Sequence, residues 1–467
     1  MTQTTQAPSD QEIKLYVKPP KVYPRETEGR FSRLRVTAAW VLLGLFYLVP
    51  WIRFDGRQVV LFDLPAREFH VFGLTFWPQD FVMLALLLAI AAMTLFFVTA
   101  LAGRLWCGYA CPQTVWTEVF LWMERFAEGP RNKRMKLDKG PWTAEKIRRK
   151  SLKQFLYITF ALWTGVTFVG FFTPIRELVP SLLTFNAGGW EVFWTFFYGF
   201  ATYGNAGYLR EQVCKYMCPY ARFQSAMFDA DSLVISYDEA RGEPRGKRRK
   251  NADKDELGLG DCIDCYGCVQ VCPTGIDIRD GLQIECIACA ACIDVCDEVM
   301  DKMGYPRGLI RYTTDNALAG NRTRILRPRI FIYVGVLAVL IALFGMMLTG
   351  RAMVDLDVLR DRTALYRMAG DAIENPFALK VTNRTELPLA LDVRVAGIEG
   401  LRVVSPADEF GVPAGEVSNR PMTLAVPQGA AGPGMHEIEI VLSNSETGAE
   451  LTRSETRFYV PRGRGEG

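Results

Sequence analysis

The stretch that decides how this chain is read is Cys262-Ile263-Asp264-Cys265-Tyr266-Gly267-Cys268-Val269-Gln270-Val271-Cys272-Pro273, answered by Cys286-Ile287-Ala288-Cys289-Ala290-Ala291-Cys292-Ile293-Asp294-Val295-Cys296-Asp297. In each run three cysteines recur at every third residue and a fourth follows four residues on. Three thiolates on one tight loop hold three corners of an iron-sulfur cubane, and the fourth runs on toward a second cubane, so the two runs exchange ligands. Cys262, Cys265, Cys268 and Cys296 are thereby assigned to one [4Fe-4S] cluster, and Cys286, Cys289, Cys292 and Cys272 to the other. Zinc also takes four thiolates, but its sites pair cysteines in twos rather than linking three with a distant fourth. Asp297 stands where a proline usually follows the last cysteine, which alters that turn without removing a ligand.

Outward from this block the chain becomes strongly apolar. Its hydrophobic fraction of 49% and charged fraction of 22% resemble those of soluble proteins, and the distribution carries the information instead. Apolar runs at 34–52, 81–105, 155–173, 192–209 and 330–349 are each near the length of about 20 residues that crosses a hydrocarbon core as helix. Five spans are expected. The fourth contains Gly199, Gly204 and Gly207, which membrane helices use for close packing. Residues 1–33 have no apolar core of their own, so no cleavable signal is read and the first span serves as an anchor.

Positive residues set the expected orientation. Lys14, Lys18, Lys21, Arg25, Arg30, Arg33 and Arg35 precede the first span, and residues 125–153 hold eleven Lys or Arg. Those segments are expected in the cytoplasm. Loop 53–80 has only Arg53, Arg57 and Arg67, and the loop between the third and fourth spans only Arg176. These are expected outside. The basic stretches read as orientation and lipid contact rather than as a nucleic-acid surface. All twelve cysteines then fall on the cytoplasmic side, the compartment that keeps thiols reduced.

The expected architecture is a polytopic α-helical membrane protein with a cytoplasmic bacterial-type dicluster ferredoxin insert and a C-terminal all-β immunoglobulin-like sandwich. Its divisions are a cytoplasmic segment (1–33), a four-helix membrane domain of two repeated hairpins (34–228), the ferredoxin domain with a charged, solvated linker at 241–258 (229–329), a fifth span (330–349) and a periplasmic domain (350–467). In the last, Leu389, Leu391, Val393 and Val395 alternate with Ala390, Asp392 and Arg394, the period of a half-buried strand. Similar runs near 379–382, 422–426, 437–442 and 456–460, separated by Pro- and Gly-rich turns, complete the pattern of a sandwich.

A second cysteine pattern is repeated. Cys107-Gly108-Tyr109-Ala110-Cys111-Pro112 follows the second span and Cys214-Lys215-Tyr216-Met217-Cys218-Pro219 follows the fourth. Residues four apart on a helix face the same way, so each pair can offer two sulfurs to one soft metal ion, and proline favours a new helix beginning there. Structural cysteines and a dithiol redox pair are the competing readings. Two copies on one membrane face favour a metal or cofactor site at Cys107, Cys111, Cys214 and Cys218, where the two halves would meet. The only histidines, His70 and His436, are both expected outside, so no bis-histidine haem is available within the spans. There is no phosphate-binding loop and no dinucleotide fingerprint. Met346, Met347 and Met353 near the end of the fifth span read as packing rather than copper ligands.

Taken together, the chain resembles the CcoG family, also called FixG or RdxA, accessory proteins for assembly of cbb3-type cytochrome oxidase. The resemblance covers nearly the whole length. It rests on Tyr23-Pro24-Arg25, Asp55-Gly56-Arg57-Gln58, Leu61-Phe62-Asp63, Phe72-Gly73-Leu74, Trp77-Pro78-Gln79-Asp80, both Cys-x3-Cys-Pro motifs, the eight-cysteine block and Val381-Thr382-Asn383-Arg384-Thr385. The resemblance implies an inner-membrane protein that reduces Cu(II) to Cu(I) on the cytoplasmic side. It also implies copper donors and acceptors and oxidase assembly factors as partners. The electron donor is left open, as is a homo-oligomer. Two other readings stand beside it: a quinol-oxidising polyferredoxin-type electron-transfer subunit, and a non-redox assembly scaffold.

Overall fold

The computed structural model describes residues 21–54, 56–250, 252–360, 365–405 and 410–462. Lys14, Lys18 and Asp55, named above, lie outside them. Among the described residues, four helices are long and apolar enough to cross a membrane: Arg30–Trp51, Pro78–Ala102, Ala144–Val169 and Pro328–Thr349. The expected fourth span departs from this pattern. It is α-helical over Gly189–Thr202 and then winds as a π-helix over Tyr203–Leu209.

The chain divides into two compact units, each assembled from three segments. The first comprises residues 1–47, 93–168 and 187–334. Here the helices Ala144–Val169 and Gly189–Thr202 meet backbone to backbone: a Cβ on Gly165 would lie 2.2 Å from the carbonyl oxygen of Thr195. Gly199 and Gly207 also pack closely, the latter against Phe120 and Tyr157, whereas Gly204 faces open space. Phe120, Tyr157, Ala161 and Ala206 form a buried cluster behind them. This is the small-residue packing that apolar helices adopt where lipid offers no hydrophobic driving force between them.

The iron-sulfur block lies in the same unit, framed by the antiparallel strands Val234–Tyr237 and Ile310–Thr313. The helix Ala291–Met303 follows the second cysteine run and packs Ile293 and Met300 into a core with Ile235, Ile278 and Leu309. The charged segment 241–258 is largely exposed, and some of its charges contact the cluster domain. Arg241 pairs with the buried Asp261 at 2.5 Å and donates to the carbonyl oxygen of Arg307 at 3.1 Å. Arg248 lies over the Tyr305 ring at 5.2 Å and donates to the carbonyl oxygen of Gly260 at 2.8 Å. Arg241 and Arg248 fold back onto the domain because they find a carboxylate, carbonyls or an aromatic face.

The second unit comprises residues 48–92, 169–186 and 335–467. Its sandwich has a five-stranded sheet, with strands Val354–Arg360, Arg367–Ala369, Ala372–Asn383, Arg402–Ser405 and Val417–Pro427, and a four-stranded sheet of Leu389–Ala396, Phe410–Val412, Gly434–Asn444 and Glu450–Val460. Ala372–Asn383 alternates buried and half-buried residues, and Leu379, Val381, Leu391, Ile440 and Phe458 fill the core. A small sheet of Val60–Asp63, Glu68–Val71 and Leu74–Phe76 leans on it. The join is ionic. Asp80 pairs with Arg351 and Arg384, the Trp77 indole donates to the carbonyl oxygen of Arg384 at 3.2 Å, and Glu386 accepts from Arg57 and from Thr75, the latter at 2.6 Å. Several residues that carried the family resemblance therefore work as one interlock.

Candidate redox site

The two cysteine runs fold as copies of one another. Asp264 and Tyr266 in the first, and Ala288 and Ala290 in the second, all have positive φ, between 49° and 60°. None is glycine. Left-handed backbone in such residues costs energy and persists where the surroundings demand it, and here it bends each loop tightly enough to turn three thiols toward one centre. A helix begins immediately after each loop, at Gly267 and Ala291.

Two cavities result. One is lined by Cys262, Cys265, Cys268 and Cys296 together with Val299 and Ile310. The other is lined by Cys272, Cys286, Cys289 and Cys292, with Cys268, Ile235 and Ile278. The quartets are those read from the spacing, including the exchanged fourth cysteine. Burial, then the neighbouring thiols, pushes Cys296 and Cys286 up to about 12 and raises Cys292 as well. Cys268 is likewise driven to about 12 by burial, against the opposing Arg279. Buried thiols of this kind are held as thiolates only by a metal centre.

Among the described residues no three His, Cys, Asp or Glu side chains stand close enough to hold a single metal ion. A zinc ion would draw four sulfurs to about 2.3 Å from one point. Quartets too wide for one ion, around apolar-walled cavities, fit cubanes, where each thiolate binds a different iron.

The repeated Cys-x3-Cys-Pro motifs also fold alike. Cys111 and Cys218 are the residues that precede the helices Pro112–Glu128 and Pro219–Met227, each in extended conformation with proline opening the helix. Cys107 lies on the short helix Leu105–Tyr109 and Cys214 on the π-helix Val213–Met217. The pairs are thus bent across a helix break instead of lying along one helix face. Burial pushes Cys107 up to about 12, with Cys111 and Cys214 adding to it. Burial, then Cys111 and Cys218, takes Cys214 to about 11. Cys111 is raised by burial and by Cys218. The four thiols therefore converge from both halves, yet they do not close round one ion. Cys107 Sγ donates to Oε1 of the buried Gln224 at 3.3 Å.

Backbone contacts tie this thiol group to the second cysteine run. Gly108 packs directly on Ile287 and Ala288. Arg104, 5% exposed, donates to the carbonyl oxygens of Ile284, Cys286 (3.0 Å) and Ala221 (2.5 Å). Arg35 donates to the carbonyl oxygen of Cys289 at 2.6 Å, and the Tyr312 hydroxyl to that of Ala288 at 2.6 Å. A cleft lined by Arg25, Arg35, Arg125, Arg210, Glu118 and Glu211 reaches both Cys214 and Cys289. Beneath it Glu124, 1% exposed, accepts from Arg134 at 2.8 Å and Arg210 at 3.1 Å. Burial opposes its ionisation, but the two guanidiniums prevail and hold it at about 2.

Sequence reasoning found every cysteine and missed Arg104, Arg35, Gln224 and Glu124. Arg104 sits three residues before Cys107, and a buried arginine at the end of an apolar run is the signal that could have found it. The others are joined only by long-range contacts. His70 lies in the other unit, buried, 2.9 Å from Thr75 Oγ1 and 3.1 Å from Glu68.

Comparison with known proteins gives three matches to family models. Residues 209–315 match a "4Fe-4S dicluster domain", residues 83–130 a "4Fe-4S binding domain", and residues 344–461 an "IG-like fold at C-terminal of FixG". Nitrogen fixation protein FixG of Rhizobium meliloti is 38% identical over 92% of this chain and 93% of its own length. Protein RdxB of Cereibacter sphaeroides is 38% identical over 92% and 98%, and protein RdxA of the same organism 39% identical over 83% and 85%.

Proposed function

The chain belongs to the family of FixG, RdxB and RdxA, and from that premise we propose that this iron-sulfur electron-transfer protein reduces Cu(II) to Cu(I) in the bacterial inner membrane, for cbb3-type oxidase assembly. Cys262, Cys265, Cys268 and Cys296 hold one [4Fe-4S] cluster, and Cys286, Cys289, Cys292 and Cys272 the other. When bound, such clusters supply one-electron transfer.

The single observation that carries the reading is the seating of Gly108, inside the first Cys-x3-Cys-Pro motif, on the backbone of the second cysteine run. That contact brings a soft-metal thiol group next to a cluster loop. Thiolates favour Cu(I) over Cu(II). An electron reaching a Cu(II) ion at Cys107, Cys111, Cys214 and Cys218 is therefore drawn to the reduced, thiolate-bound state. Since no three of these thiols close round one ion among the described residues, each pair, Cys107 with Cys111 and Cys214 with Cys218, offers two sulfurs to the ion. Arg104 and Arg35 position the cluster loop from opposite sides through their carbonyl contacts. The N-terminus and the cluster domain face the cytoplasm, where thiols stay reduced, and the sandwich faces the periplasm toward assembly partners.

The test is anaerobic isolation, reduction with dithionite, removal of excess reductant and addition of Cu(II). Bleaching of the reduced clusters with matching formation of Cu(I), read by a Cu(I)-specific chelator, supports the reading. Clusters that stay reduced in excess Cu(II) rule it out.

A further inference from the structure

We propose that the electron donor is a lipid-soluble quinol, bound by its head group in a cavity among the apolar helices of the first unit. This deepens the cupric-reductase reading and rests on it for the destination of the electrons. The cavity measures about 330 Å³, within the range of sites that enclose a small ring. Its walls include Phe46, Trp116, Phe168 and Tyr198, and flat aromatic faces suit a planar conjugated ring. Phe46 and Phe168 come from the spanning helices Arg30–Leu48 and Ala144–Val169. A ligand that reaches them must be soluble in lipid.

Two polar groups on one helix face are placed to orient such a ring. Trp116 Nε1 is buried beside the Tyr47 hydroxyl, which is itself engaged with Thr164 at 2.7 Å and is the neighbour a ligand oxygen would compete with for the indole N–H. A buried indole N–H calls for an acceptor, which a quinone oxygen supplies. Three residues earlier, Gln113 commits its amide nitrogen to the carbonyl oxygens of Asn205 (2.9 Å) and Arg210 (3.2 Å). Gln113 lines the cavity, and an amide oxygen can accept from a quinol hydroxyl. Gln113 is also the second residue after Cys111, so the cavity adjoins the thiol group.

The step balances without a further reactant. One quinol loses two electrons and two protons and leaves as quinone. Two Cu(II) ions gain one electron each, and the protons pass to water.

The experiment uses the full chain in detergent under anaerobic conditions, with decylubiquinone as binding probe and decylubiquinol as reductant. Saturable binding at one site per chain is expected, beyond partition into empty micelles. Ala201→Phe, which fills the cavity, should weaken it at least tenfold. Trp116→Phe, which keeps the ring and removes the N–H, should weaken it several-fold, with cluster absorbance per chain as the check on folding. No saturable binding, or unchanged binding in Ala201→Phe with its clusters intact, overturns the proposal. If Ala201→Phe loses its clusters, Trp116→Phe decides by the same criterion. Decylubiquinol should also drive Cu(I) formation. Failure with quinol but success with dithionite sinks the donor and leaves the copper reading standing. Failure with both, despite saturable binding, sinks the copper reading and leaves the quinone site.

Discussion

A Cβ atom on Gly108 would lie 2.7 Å from the carbonyl oxygen of Ala288. Between the two cysteines of the first repeated motif, the chain therefore rests its bare backbone on the loop that carries Cys286, Cys289 and Cys292. Gly108→Ala forces that loop to shift, an overpacking cost of about 1–3 kcal/mol. The expected result is partial loss of iron from the second cluster and slower oxidation of the reduced protein by Cu(II). Iron content and stopped-flow bleaching measure both, and parental values for the two together would contradict the proposed contact route.

The exchanged ligands make a sharper prediction. Intact protein should contain about eight iron and eight sulfide per chain, the sum of two cubanes. Cys296→Ser should remove the fourth ligand of the first cluster, and Cys272→Ser that of the second, each lowering iron by about half. Zinc in place of iron after anaerobic isolation would defeat the assignment.

Cys107→Ser with Cys111→Ser, and separately Cys214→Ser with Cys218→Ser, should leave cluster absorbance intact and abolish copper binding and Cu(II)-driven oxidation. Purely structural cysteines would instead lower the amount of inserted protein. If both double variants bind and reduce copper like the parent, the thiol group is not the copper site.

Glu124 offers a test of stability. Its carboxylate is held at about 2 in the fold against an ordinary value of 4.5. A depressed value stabilises the fold above the ordinary value, and the contribution fades as pH falls from about 4.5 toward 2. Glu124→Gln leaves Arg134 and Arg210 buried beside a neutral partner and should cost about 3–5 kcal/mol near neutral pH. Thermal unfolding in detergent across pH 2–7 should show this loss and a flatter acid limb. An unchanged acid limb would mean that the pair network contributes little.

Orientation is tested by reporter fusions after Gly140 and Gly434. If the eleven basic residues of 125–153 stay in the cytoplasm, as positive loops do, the first fusion reports from inside and, after an odd number of crossings, the second from outside. Opposite signals are expected. Equal signals would mean that the number of crossings between them is even.

Much of the fold was legible in the sequence because its signals are local. The period-two alternation at Leu389, Leu391, Val393 and Val395 became the strand Leu389–Ala396, and four of the five apolar runs became long helices. The fourth run was harder. Apolar length does not distinguish an α-helix from one that loosens into a π-helix at Tyr203, since that choice follows from how Gly199 and Gly207 pack on other helices. Charge density at 241–258 did not reveal the contacts of Arg241 and Arg248, because composition does not show which partners a folded chain will offer.

By itself the sequence determined which residues are bound to act together wherever spacing fixes geometry. Cysteines three apart on a tight loop are expected to share a centre, and chain direction leads to the expected exchange of Cys272 and Cys296. Only the tertiary structure decided how separate motifs meet: Gly108 against Ala288, Arg104 between the Cys286 and Ala221 carbonyls, and Gln113 and Trp116 on a cavity shared with distant helices. Those contacts join residues more than a hundred positions apart in several cases. They arise from packing between helices and loops, which a linear pattern does not encode, and they turn three cysteine motifs into one connected unit.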